Sequence, residues 1–304
     1  MPPGKMHPDE IGIDVTLVRR LLAEQFPKWA HLAVDGVASA GTDNALFRLG
    51  SDMVVRLPRI PAVIGQVEKE FRWLPILAPH LPLAIPVPLA KGSPGDGYPW
   101  HWSIYRWLDG ESVTVGGLAD PHQAAKDLAH FIAALRRIDT TGGPLYGSQN
   151  FHRGAPLADR DQDTRAAIAS LRGTLDTEAI TRAWKTALGA VPWSEPHVWV
   201  HGDLQSGNLL LKAGRLSAVI DFGCLGVGDP ACDLQIAWNL FSAETRAVFR
   251  TALEVDDATW ARGRGWALSV GLIALPYYRK TNPALAGIAQ YAIGQVLADQ
   301  AGFS

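Results

Sequence analysis

His201-Gly202-Asp203-Leu204-Gln205-Ser206-Gly207-Asn208, followed by Asp221-Phe222-Gly223 thirteen residues after the Asn, is the stretch on which the fold and the chemistry turn. Phosphoryl transfer needs a carboxylate to take the proton of the attacking hydroxyl. It also needs an amide and a second carboxylate to hold the magnesium ions that bridge the nucleotide phosphates. H-x-D-x-x-x-x-N followed by D-F-G supplies these groups in order. Asp203 is thus the candidate base, and Asn208 and Asp221 are the candidate metal ligands. A strand, turn and hairpin in which Asp203 merely caps a turn explains each residue singly but not their joint spacing.

The flanks fit. Residues 198–200, Val-Trp-Val, are a short β-forming run that delivers His201 to a strand end. Residues 209–211, the turn 212–215 and residues 216–220 read as a hairpin that carries Asp221 back beside Asn208.

On these motifs the chain resembles the aminoglycoside phosphotransferase and choline kinase-like group, the small-molecule branch of the protein-kinase fold. His201-Gly202-Asp203 follows that group's H-G-D form, and Gly228-Asp229-Pro230-Ala231-Cys232-Asp233-Leu234 is similar to its G-D-P-x-x-D-L. The resemblance implies an α+β, two-lobed protein-kinase-like fold. Its N-lobe, residues 1–108, would be a small antiparallel sheet that binds nucleotide; its C-lobe, residues 109–304, would be mainly helical and carry the catalytic and substrate-binding groups. It also implies that Asp233 accepts backbone N–H groups of the catalytic loop, where sequence alone reads equally a helix cap.

In the N-terminal part, residues 11–26 form an amphipathic helix with Asp14 as its cap, ending before Pro27. Strands follow at residues 32–37, 45–49 and 53–57. The polar loop 38–44 between the first two could lay backbone N–H groups over phosphates, which makes Ser39, Gly41, Thr42 and Asn44 nucleotide candidates; an ordinary hairpin loop has the same composition. On the third strand Arg56 stands where the resemblance expects a phosphate-binding Lys. Arg can clamp phosphate oxygens bidentately, but its geometry differs from an ammonium. The resemblance implies that the helix at residues 63–74, kinked or ended by Pro75, supplies an ion-pair Glu for Arg56, and it favours Glu70, which borders the buried stripe, over Glu68. Residues 85–89 and 102–108 complete the sheet around the Gly- and Pro-rich loop 92–99. By resemblance, backbone groups near Arg106 and Leu108 meet the adenine edge.

Residues 121–138 have apolar positions at helical spacing and form the central helix of the larger lobe. Residues 140–163 lack periodicity and read as a long functional loop. Helices follow at residues 164–188 and 233–241 and through most of 243–301. Apolar residues make up 47% of the chain, enough for a sizeable core, and a net charge of −2 argues against nucleic-acid or polybasic membrane partners. Two cysteines, Cys224 and Cys232, have no zinc-site spacing and suggest a reducing compartment. Residues 1–10 hold no apolar stretch of signal-peptide length, and no apolar run approaches ~18 residues, so the expected location is the cytoplasm.

The expected activity is ATP- (or GTP-) and Mg²⁺-dependent phosphorylation of a hydroxyl on a small molecule, with a nucleotide-binding module lacking transferase activity, or a choline- or amino-alcohol-type kinase, as alternatives. Only residues 224–228 separate Asp221-Phe222-Gly223 from the Asp-Pro turn, which leaves no room for a peptide-docking segment. The acceptor is expected in the C-terminal lobe, beside the loop 140–163. Asp159, Asp161, Asp163, Glu254, Asp256 and Asp257 could line a pocket for a polycationic aminoglycoside, and Trp238, Trp260, Trp266, Tyr277 and Tyr278 could equally line one for a less charged, macrolide-like ligand.

Overall fold

A computed structural model describes residues 11–37, 41 and 43–301 of the chain. Within it the chain packs as two compact units, Met1–His80 with Ala84–Asp109, and Leu81–Leu83 with Gly110–Ser304.

The first unit opens with α1 (Val15–Gln25), where Asp14 caps the free end by accepting from Leu17 N–H at 2.8 Å. An isolated helix of this length is marginal in water. What holds it is Val18, Leu21 and Leu22, all buried, each contributing roughly 1.5–3 kcal/mol. They pack on an antiparallel sheet of β1 (Val34–Gly36), β2 (Asn44–Leu49) and β3 (Met53–Pro58), extended after α2 (Gln66–Leu77) by β4 (Pro88–Gly92) and β5 (Trp102–Arg106), in the order β1-β2-β3-β5-β4. Along β3 the side chains alternate, so Val55 and Leu57 enter the core while Arg56 lies on the opposite face.

Two prolines set boundaries differently from the sequence expectation. Pro75 lies inside α2, which runs on to Leu77. An interior proline costs about 3 kcal/mol. Leu74 and Leu77 are both fully buried and offset it at roughly 1.5–3 kcal/mol each. The fourth strand begins only at Pro88, because Pro86 and Pro88 have no N–H to give a ladder, and β4 lies at the sheet edge, where a proline is tolerated.

The second unit is mainly helical. After β6 (Glu111–Ser112), Asp120 caps α3 (Pro121–Arg136), whose buried Leu128, Phe131, Ile132 and Leu135 form one stripe. The segment expected as an aperiodic loop to residue 163 is shorter: it holds short 3-10 turns at Ser148–Asn150 and Leu157–Arg160, and α4 (Asp161–Ser170) has begun before it ends. Then come α5 (Thr177–Leu188), β7 (Val198–Val200), the hairpin β8 (Leu209–Lys212) and β9 (Arg215–Val219), and β10 (Gly226–Gly228). β10 pairs antiparallel with β7, and β6 pairs antiparallel with β8. α6 (Ile236–Asn239), α7 (Ala243–Leu253), α8 (Asp257–Tyr278) and α9 (Pro283–Ala301) complete the unit. Trp238 and Trp266 are fully buried here as core, not as a pocket wall, whereas Tyr277 is exposed. Among the described residues no helix is long and apolar enough to cross a membrane.

Candidate active site

β7 and β10 place the catalytic loop. Leaving β7, the backbone N–H groups of His201 and Gly202 donate to the two carboxylate oxygens of Asp233, each at 2.8 Å. Asp233 is fully buried. Burial pushes its carboxyl up, against the lowering pull of His201 and the two N–H groups. Gly202 has a φ of +84°, and a Cβ there would lie 2.5 Å from Cys224 O and 2.9 Å from Arg153 Cβ. Only glycine fits, which gives the Gly of His-Gly-Asp a steric reason.

His201 is a structural hub. Its Nδ1 accepts from Asp203 N–H at 3.2 Å, which places the ring proton on Nε2, 3.1 Å from Ile220 O. Its ring packs edge-on against Phe222, 4.5 Å between centroids. The imidazole thus ties the start of the catalytic loop to both sides of Asp221. A further link, Ile220 N–H to Asn208 O at 2.9 Å, draws Asp221 to Asn208. Asp221 itself adopts a left-handed φ of 65°.

Asp203 keeps 26% of its side chain exposed. Its carboxylate meets Gln205 Nε2 at 3.3 Å, Asn208 Nδ2 at 3.4 Å and Arg153 Nη2 at 3.5 Å, all long for hydrogen bonds. Burial of its inner edge pushes the carboxyl up, Arg153 pulls it down, and Asp221 adds to the rise. Asn208 Nδ2 also donates to Asp203 O at 2.8 Å, which fixes the amide. Hard oxygen donors from Asn208 and Asp221 suit Mg²⁺, which binds through one or two carboxylates together with substrate phosphates. Among the described residues no cluster of three His, Cys, Asp or Glu could hold a metal by itself.

In the first unit, Arg56 Nη1 donates to both oxygens of Glu70 at 2.6 Å, and Nη2 to Gln66 at 3.2 Å. Glu70 is buried and also accepts from Tyr105 OH. Glu68 pairs instead with Lys91. With its amide turned to satisfy both partners, Asn44 accepts from Arg56 Nη2 at 3.0 Å and Nε at 3.2 Å, so Asn44 sits on the guanidinium. The expectation at Arg106 needs correction: its N–H donates to Val87 O at 3.0 Å and is not open to an adenine edge. Leu108 N–H makes no such bond among the described residues. Gly41 lies in an exposed loop, and Ser39 and Thr42 lie outside the described residues.

Three of the six candidate acidic residues have partners within the chain. Asp161 is engaged by Arg165 and Trp184, Asp256 caps α8 through Thr259 N–H, and Asp257 pairs with Arg250. Sequence reasoning passed over Arg153, Gln205, Gln66 and Tyr105. Gln205 lies within the quoted motif, but an arginine in an aperiodic loop carries no signal of its own.

The model of the phosphotransferase enzyme family matches residues 37–266. Among solved structures, the chain is similar to the GDP complex of aminoglycoside 2'-phosphotransferase-IIIa, at 17% identity and a TM-score of 0.75 over 95% of this chain and 100% of that one. It is similar to the GDP and kanamycin complex of APH(2")-IIia, at 18% identity and a TM-score of 0.72 over 93% of this chain and 98% of that one. It is also similar to macrolide 2'-phosphotransferase MphH from Brachybacterium faecium, at 22% identity and a TM-score of 0.61 over 92% and 97%. No curated protein matches the chain. With its two-unit α+β fold and the family match across the motif residues, the chain belongs to the phosphotransferase enzyme family.

Proposed function

We propose that this phosphotransferase moves the γ-phosphoryl group of a nucleoside triphosphate to a hydroxyl of a small molecule, with Asp203 as the base or hydroxyl-positioning group. The observation that carries the reading is the state of the Asp203 carboxylate: part-exposed, ringed by three donors at 3.3–3.5 Å, and tightly bonded to none. Its lone pairs remain available for an incoming hydroxyl. Asn208 and Asp221 would hold Mg²⁺, which supplies charge neutralisation for the phosphates when bound. Arg56, oriented by Glu70, would serve the nucleotide phosphates. Its replacement of Lys does not favour a transferase-dead module, because the ion pair with Glu70 is intact.

For the acceptor, the relatives' names offer aminoglycosides and macrolides. Engagement of Asp161 and Asp256 within the protein, with Arg153 beside Asp203, supports an acceptor of low positive charge lodged in the second unit against residues 140–163. The test is release of nucleoside diphosphate from Mg·ATP and Mg·GTP with a panel of aminoglycosides, macrolides, choline, amino alcohols and sugars, with the new phosphate located by NMR. Turnover with a macrolide or neutral sugar, insensitive to neutralising Asp159, Asp161 and Asp163 together, supports this reading. Turnover confined to aminoglycosides and weakened by that triple change refutes it.

A further inference from the structure

The loop from Gly147 to Gly154 carries two adjacent non-glycine residues in the left-handed region, Phe151 at φ 54° and His152 at φ 57°, before Gly154 at φ 84°. L-residues persist there only where the surroundings over-determine them, and such strain gathers at functional sites. The fastening is visible. His152 N–H donates to Gly147 O at 2.8 Å, and Gly147 N–H donates to Asn150 Oδ1 at 3.0 Å. The Asn150 amide, fully buried, donates to Arg153 O at 3.0 Å and Cys224 O at 3.4 Å, and Asp229 N–H closes on Gly154 O at 2.7 Å. A Cβ on Gly226 would lie 2.4 Å from the Asn150 amide nitrogen, and one on Gly228 2.2 Å from Gly154 O. The loop is therefore bolted to the segment that follows Asp221.

That frame presents Arg153, whose Nη2 lies 3.5 Å from Asp203 Oδ1. Its Nε and Nη1 are buried and meet no hydrogen-bond acceptor among the described residues. Arg262 and Arg246 of this unit are bonded on several sides, Arg262 to Asp229, Val191 O and Thr259, and Arg246 to Phe241 O, Gln295 and Asp299, while Arg136 and Arg264 each leave only Nε buried without a partner. Each buried donor left alone is costly, and Arg153 leaves two where Arg136 and Arg264 leave one. The carboxylate beside it is that of Asp203.

We propose that Arg153 is a positioning residue for the transfer, its guanidinium holding the Asp203 carboxylate in the one orientation that meets the acceptor hydroxyl. The inference rests on the reading of Asp203 given above. In the step itself the acceptor oxygen bonds to the γ-phosphorus, the bond from that phosphorus to the nucleoside diphosphate breaks, and the hydroxyl proton passes to Asp203. Arg153 stays cationic throughout. Without it, the carboxylate would keep only the neutral amides of Gln205 and Asn208, at 3.3 and 3.4 Å, and would lose the positive charge beside it.

The test compares Arg153→Met, Arg153→Lys and Asp203→Asn for phosphoryl transfer from Mg·ATP and Mg·GTP to kanamycin, to a macrolide and to water, with melting temperature and nucleotide affinity measured alongside. Arg153→Met is expected to lower kcat by on the order of 10–10²-fold, the scale of a small misplacement of a reacting group, while KM for nucleotide and acceptor changes little. Arg153→Lys, which keeps the charge but not the planar fork, should fall between Arg153→Met and the wild type. Wild-type kcat in folded Arg153→Met, beside an inactive Asp203→Asn, overturns the proposal and spares the assignment of Asp203. Full activity in Asp203→Asn overturns that assignment instead. If Arg153→Met does not fold, Arg153→Lys decides: a lowered kcat at unchanged KM supports the proposal, and a wild-type kcat overturns it.

Discussion

Asp233 holds His201 and Gly202 by their backbone N–H groups, one on each carboxylate oxygen at 2.8 Å, and is itself fully buried. The bond joins two segments that are 31 residues apart or more and fixes where Asp203 emerges. Asp233→Ala leaves two buried donors unpaired, at about 1–3 kcal/mol each. Urea unfolding should show a loss of roughly 2–6 kcal/mol, with turnover falling in the protein that remains folded. A variant as stable as the wild type would show that the two bonds carry no net stability.

Gly202→Ala probes the close approach at the same turn. A φ of +84° strains any L-residue by about 1–2 kcal/mol, and the added Cβ would lie 2.5 Å from Cys224 O and 2.9 Å from Arg153 Cβ. Thermal denaturation should report a loss of at least about 2 kcal/mol. An unchanged melting temperature would mean that the loop relaxes freely.

The Arg56–Glu70 pair is only 14% exposed on the arginine side and 1% on the glutamate side. Arg56→Met strands Glu70 with Tyr105 as its remaining hydrogen-bond donor in this network, and breaking a buried pair this way costs about 3–5 kcal/mol. Denaturant titration should find that loss, and steady-state kinetics should find a raised KM for nucleotide with lowered turnover. Unaltered nucleotide KM would remove Arg56 from the phosphate site.

Asp221→Ala should weaken nucleotide binding in the presence of Mg²⁺ and leave metal-free binding little changed, since it removes one of the two protein ligands proposed for the metal. Calorimetric titration with and without Mg²⁺ separates the two. Equal metal dependence in variant and wild type would refute the assignment.

Much of this site was legible in sequence because its parts are local. The hairpin between Asn208 and Asp221 follows from periodicity and turn residues, and Glu70 from the resemblance together with its place beside the buried stripe. Arg153 was not legible: its position depends on left-handed backbone at Phe151 and His152 and on glycine contacts with a strand more than seventy residues later in the chain. Asp161, Asp256 and Asp257 look free in sequence, but Arg165, Trp184, Thr259 and Arg250 reach them once the helices form. At Pro75 and Pro88 the local rule met tertiary burial or an edge position, and the boundaries moved by a few residues.

The most direct test of the account is the single-turnover rate of phosphoryl transfer from Mg·nucleotide in Asp203→Ala, set beside its nucleotide affinity. The account expects affinity within about threefold of wild type and a rate lower by roughly 10²–10⁴, the share of a positioned base. A folded Asp203→Ala protein that transfers phosphate at the wild-type rate would contradict it.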